Sequence, residues 1–80
     1  MKTTWIVTYA SNYSTTGLYV ENRVFENEND ALSAFEEYAE DIKCSVSTDS
    51  WQYAEKTQYD LEVNDGDRSF IVMCKEEIIN

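Results

Sequence analysis

Asn27-Glu28-Asn29-Asp30-Ala31-Leu32-Ser33-Ala34-Phe35-Glu36-Glu37-Tyr38-Ala39-Glu40-Asp41-Ile42-Lys43 carries the strongest periodic signal in the chain. At about 100° per residue, Ala31, Leu32, Ala34, Phe35, Tyr38, Ala39 and Ile42 fall on one continuous arc. Ser33, Glu36, Glu37, Glu40 and Asp41 fill the opposite arc. Asn27 is a good N-cap residue, Asp30 suits the positive end of a helix, and Lys43 suits the negative end. The pattern predicts an amphipathic helix from about Glu28 to Lys43, with one apolar stripe that needs a surface to lie on.

On either side of this stretch the period changes to two. From Thr3 to Ala10, Trp5, Val7 and Tyr9 alternate with Thr4, Ile6 and Thr8. Both sets are large or β-branched, which predicts an interior strand. Ser11 to Thr16 reads as a polar loop, Gly17 permits a sharp return, and Leu18 to Phe25 reads as a second, antiparallel strand. Beyond the helix, Tyr59, Leu61 and Val63 alternate with Asp60 and Glu62, Asp65-Gly66 predicts a type I′ turn, and Arg68 to Lys75 returns. That register sets Leu61 opposite Phe70 and Tyr59 opposite Val72, with Cys74 following on the same face. This face is expected to meet the helix. Ile71 and Met73 fall on the other face, as a second layer or a contact surface. Asp49 to Lys56 stays open: Asp49 with Gln52 resembles a capping box, and Trp51 with Tyr53 equally suits a strand. The expectation is an α+β fold of ββ-α-ββ type. It has one antiparallel sheet of about four strands, the main helix across one face, and room for a short second helix. Strand order is not fixed by these signals.

Eighty residues predict a single domain, 1–80. Apolar residues at 42% and aromatics at 14% are enough for a packed core, and no proline and 2 glycines argue against a linker. The 2 cysteines, Cys44 and Cys74, are too few for a disulfide scaffold and read as two buried small hydrophobes. Trp5-Ile6-Val7 is too short for the apolar region of a signal peptide, and no run approaches transmembrane length. The expected location is the cytoplasm.

Catalytic groups are scarce. There is no histidine, so a Ser-His-Asp or Cys-His pair is excluded, and two separate cysteines do not make a zinc site. No glycine-rich phosphate loop exists. Asp60-x-Glu62-x-Asn64 has the beginning of a calcium loop, but Gly66 comes one place late and Ile71 stands where the bidentate glutamate belongs. The expectation is a non-enzyme that needs neither metal nor cofactor.

Charge is the remaining signal. Sixteen Asp and Glu against 6 Lys and Arg give a net charge of −10. Such a chain repels nucleic acid and anionic membranes, so a basic protein surface is the expected partner. Between Arg23 and Lys43 lie Glu26, Glu28, Asp30, Glu36, Glu37, Glu40 and Asp41 with no cation among them. Glu36 and Glu40 form one i,i+4 row, and Asp30, Glu37 and Asp41 form a second. Like charges so placed weaken a helix by a few tenths of a kcal/mol per pair, about 5–6 Å apart, a spacing similar to that of neighbouring phosphates. A second base-free run, Asp60, Glu62, Asp65 and Asp67, surrounds the expected hairpin tip. A solvated acidic face accounts for both runs. So does a surface that takes the place of DNA in a cleft lined with Lys and Arg.

In size, lack of catalytic groups and acid-rich surface, the chain resembles the small inhibitors of host defence made by phages and mobile elements. Glu26-Asn27-Glu28-Asn29-Asp30 and Phe35-Glu36-Glu37-Tyr38-Ala39-Glu40-Asp41 carry the resemblance, which is to anti-CRISPR and anti-restriction proteins of the DNA-mimic type. It implies occlusion of a DNA-binding cleft in a CRISPR effector or restriction enzyme, by a monomer or weak dimer in the host cytoplasm, with no direct nucleic-acid contact. Some such inhibitors act through aromatic patches, for which Tyr13, Tyr19, Trp51 and Tyr53 are candidates. The alternative is a small acidic adaptor that docks through a sheet edge or through the Ile71/Met73 face.

Overall fold

The computed structural model describes residues 2–13 and 17–79. Five strands and one long helix follow in the order β1 (Lys2–Tyr13), β2 (Gly17–Phe25), α1 (Glu28–Ser45), β3 (Tyr53–Lys56), β4 (Asp60–Asn64) and β5 (Arg68–Ile79), with a single 3₁₀ turn at Thr48–Ser50 before β3. All strand pairs are antiparallel, in the order β2-β1-β5-β4-β3. The fold is α+β, with five strands where about four were expected. The extra one is β3, which resolves the ambiguous stretch. Its first part makes one 3₁₀ turn capped by Ser47, not Asp49, and its second part pairs with β4.

Because β2 and β3 are the two edges, the chain must cross the whole sheet between them. Four strand spacings amount to about 19 Å. The 18 residues of α1 span about 27 Å, so the helix makes this crossing over one face. Its start is fixed as expected: Asn27 is extended, and its side-chain oxygen accepts the Asp30 N–H at 2.9 Å. Ala31, Ala34, Phe35, Ala39 and Ile42 are buried, and Leu32 and Tyr38 flank them half-buried. Three alanines let the helix come close to the sheet, and Phe35 fills the space between. Val7, Leu61, Val63, Phe70, Val72 and Cys74 meet them from the strands, joined by Val46 past the helix end. Burying side chains of this size stabilises by about 1.5–3 kcal/mol each. Trp51 Nε1 donates to the Val46 carbonyl at 3.3 Å and ties the chain after α1 to the core.

Three expectations are corrected. First, β1 runs on to Tyr13, because Ser11, Asn12 and Tyr13 pair with Tyr19, Leu18 and Gly17; of the expected loop, 14–16 lie outside the described residues. Second, the β4–β5 hairpin is slipped by two residues, so Leu61 faces Val72 and Val63 faces Phe70. Gly66 and Asp67 form the tip. Gly66 has φ +99° while no non-glycine residue among those described has positive φ. This is the φ pattern of a II′ turn, since I′ needs positive φ at both central positions. A slip of two keeps every side chain on its face, so the helix-facing set is as expected. Third, Cys74 is buried but Cys44 is exposed, and both are free.

Candidate protein-binding surface

Four carboxylates gather on the outer side of α1. Glu36, Glu37, Glu40 and Asp41 are all exposed there and line a shallow open groove with Asn29, Leu32 and Ser33. Their placement follows from the helix period: once Phe35, Ala39 and Ile42 face the sheet, these positions must face solvent.

Cations do reach this face, two of them from other elements and one from the end of α1 itself. Lys56 Nζ of β3 lies 3.1 Å from Glu36, Arg23 of β2 lies 3.8 Å from Glu37, and Lys43 lies 3.5 Å from Glu40. Asp41 has no cation within ion-pair distance among the described residues. The stretch from Glu26 to Asp41 is base-free in sequence but bordered by base in space. Each such exposed pair is worth about 0–1 kcal/mol and exchanges readily with another partner.

The remaining acids are dispersed. Glu26 is exposed at the start of the helix, 3.6 Å from Lys2. Glu28 is half-buried and accepts the Tyr59 hydroxyl at 2.7 Å, which makes it a link between α1 and the residue just before β4. Asp30 is exposed and closes the N-cap, accepting from Asn27 Nδ2 at 3.0 Å. Asp60 and Glu62 are exposed on β4. They alternate with buried Leu61 and Val63, so they point away from the helix, on the far face of the sheet. Asp65 belongs to the turn. Its side chain is only 6% exposed and accepts from the backbone of Asp67 and from both backbone and guanidinium of Arg68. Burial alone would raise the Asp65 carboxyl, and the Arg68 and Asp67 donors outweigh it and hold it below its usual range. Asp67 is exposed at the tip. Asp60 and Glu62 are therefore on the opposite side of the sheet from the helix acids, Asp65 and Asp67 are at the hairpin turn, and the two runs do not form one surface.

Two features escaped the sequence reading. Glu21 accepts hydroxyls from Tyr38 at 3.1 Å and Tyr19 at 2.9 Å, and the Tyr38 ring is stacked on Tyr9 at 5.0 Å. Burial first, and then the neighbouring Glu21 carboxylate, raises the Tyr38 phenol; burial also raises Tyr9. The second feature is the face away from the helix. Leu18, Val20, Val24, Ile71 and Met73 are all exposed there, although sequence alternation pointed only to the last two. Reading β2 with the same alternation as β5 would have found the other three. The aromatic candidates divide: Tyr19 and Tyr53 are exposed, Tyr13 packs edge-on to Phe70, and Trp51 is half-buried.

Among the described residues no group of three His, Cys, Asp or Glu is gathered as a metal site, and no helix is long and apolar enough to cross a membrane. Compared with known proteins, the chain matches no family model, no curated protein and no solved structure.

Proposed function

We propose that this chain is a non-catalytic inhibitor that lays the outer face of α1 in a basic nucleic-acid-binding cleft of a host defence complex, of the anti-CRISPR or anti-restriction kind. The observation that carries this reading is the cluster Glu36, Glu37, Glu40 and Asp41, exposed on a helix held rigidly by a buried core. Its cations stand only at the borders, in weak surface pairs that arginines of a partner can displace. Asp60 and Glu62, on the far face, cannot share that interface, so the proposed contact is centred on the helix.

The test is a neutral quadruple variant, Glu36→Gln, Glu37→Gln, Glu40→Gln and Asp41→Asn. It removes the charge without setting lysine against Lys56 or Arg23, and circular dichroism should be unchanged. Against CRISPR effectors and restriction enzymes, the parent chain should compete with DNA and lose affinity steeply with salt. Breaking a buried charge pair at an interface costs about 2–5 kcal/mol, so the variant should not inhibit.

A second reading is an adaptor that docks through the open sheet face, favoured by the exposure of Ile71 (38%) and Met73 (44%). If Ile71→Asp with Met73→Asp abolishes binding while the helix variant binds normally and without salt dependence, the adaptor replaces the inhibitor.

A further inference from the structure

The two edges of the sheet are built differently. The β3 edge is 4 residues long and carries Glu55 and Lys56. Shortness and charge are common ways of keeping an edge from pairing with another chain. The β2 edge also carries charge, in Glu21 and Arg23, but it lacks the other protections. It is 9 residues long, contains no proline or lysine, and pairs with β1 without a break from Trp5↔Phe25 to Tyr13↔Gly17, so no bulge twists it away. Among the described residues its backbone pairs with β1 alone, and its outer groups meet no other segment. Leu18 is 71% exposed, Tyr19 54%, Val20 51% and Val24 65%.

The order of residues on that edge is self-complementary. Two copies of β2 placed antiparallel about a two-fold axis at Asn22 set Glu21 opposite Arg23 of the other copy, and Arg23 opposite its Glu21. The same register sets Val20 opposite Val24, and Tyr19 opposite Phe25, in both directions. Tyr19, Glu21, Arg23 and Phe25 lie on the helix side; Val20, Asn22 and Val24 lie on the open side. Opposite charges, β-branched pairs and aromatic pairs across strands each stabilise a sheet. Moving the axis by one residue destroys the match. At Glu21 it sets carboxylate on carboxylate, and at Arg23 it sets guanidinium on guanidinium. The groups are available. Glu21 accepts only tyrosine hydroxyls and has no cation within ion-pair distance among the described residues, and Arg23 makes a 3.8 Å pair with Glu37 and lies 5.2 Å over the Phe25 ring beside it on β2.

We propose that β2 is a self-association edge, through which two copies of the chain join into one continuous antiparallel sheet with the two-fold axis at Asn22. The contact is about 30 Å long and one sheet thick. It is smaller than the roughly 800 Å² per partner of a standard interface, so the dimer is reversible. Both helices stand on the same side, which places the two α1 acid faces side by side. The apolar residues of the open face become continuous across Val20 and Val24. This edge is separate from the outer face of α1, so either assignment can fail without the other.

Sedimentation velocity over a concentration series tests it, with folding followed by circular dichroism. The parent chain should pass from monomer to dimer as concentration rises. Arg23→Glu places like charges opposite each other twice and should weaken the dimer about a hundredfold. Adding Glu21→Arg to Arg23→Glu restores opposite signs and should restore the dimer. A covalent test covers the case in which a charge variant unfolds. In a Cys44→Ser background, Asn22→Cys should cross-link to itself under mild oxidation, while Leu18→Cys, far from the axis, should not. A parent chain that stays monomeric at millimolar concentration overturns the proposal. So does a dimer indifferent to Arg23→Glu, or equal cross-linking from positions 18 and 22.

Discussion

At the scale of the residue, tyrosine does much of the polar joining. The hydroxyls of Tyr19 and Tyr38 end on Glu21, Tyr53 on Glu55 and Tyr59 on Glu28. A phenol that donates to a carboxylate holds its proton more tightly than one in water, and burial adds to this for Tyr9 and Tyr38. The sign of the pH effect follows. The folded chain keeps these protons above the ordinary phenol value of 10.0, whereas the unfolded chain releases them there. The stabilisation is complete below that value and is lost as pH rises through the folded values. The urea midpoint should therefore fall on the alkaline side. Tyr38→Phe should start about 1 kcal/mol less stable, through loss of the Glu21 bond, and show a shallower alkaline decline. An alkaline decline as steep as the parent's would remove Tyr38 from this account. The Tyr38–Glu21 and Tyr59–Glu28 pairs were not legible in sequence, since their members stand far apart in the chain and meet only across the fold.

At the scale of the element, α1 was the most legible part, because an 18-residue helix with a buried stripe repeats its signal over several turns. Its cap was legible for the same local reason. Asn27→Ala removes the acceptor for the Asp30 N–H and should cost about 1 kcal/mol, read as a lower urea midpoint with an unchanged slope. A variant as stable as the parent would show that solvent satisfies that N–H equally well. The hairpin was less legible. Alternation fixes the face of a residue but not which partner it meets, because a shift of two residues preserves every face. The choice fell to the turn, where Gly66 alone takes positive φ and Asp65 binds Arg68. The four-residue strand β3 has too little sequence to repeat a period, and it is a strand because β4 is there to receive its hydrogen bonds.

At the scale of the whole molecule, the charge of −10 is spread over both sides of a thin two-layer body. Of the five ion pairs among the described residues, four are exposed and relieve little of the repulsion, and the fifth, Arg68 with the buried Asp65 side chain, is confined to one turn. Salt shortens the reach of that repulsion to about 8–10 Å near physiological strength. The thermal midpoint should rise from low salt to about 0.5 M sodium chloride. A flat or falling midpoint would mean that the pairs of Lys56, Arg23 and Lys43 matter more than the unpaired acids.

The sequence by itself determined the α+β class, the helix and its cap, the faces of the β4–β5 hairpin and the acidic outer side of α1. All of these follow from local period and charge, which a short window contains. Tertiary structure decided what depends on distant segments meeting. It placed β5 at the centre and β2 and β3 at the edges, and it chose the hairpin register. It brought Lys56 and Arg23 to acids that looked unopposed. It also separated Asp60 and Glu62 from the helix acids by the thickness of the sheet, because alternate residues of β4 must point to opposite sides once Leu61 and Val63 are buried.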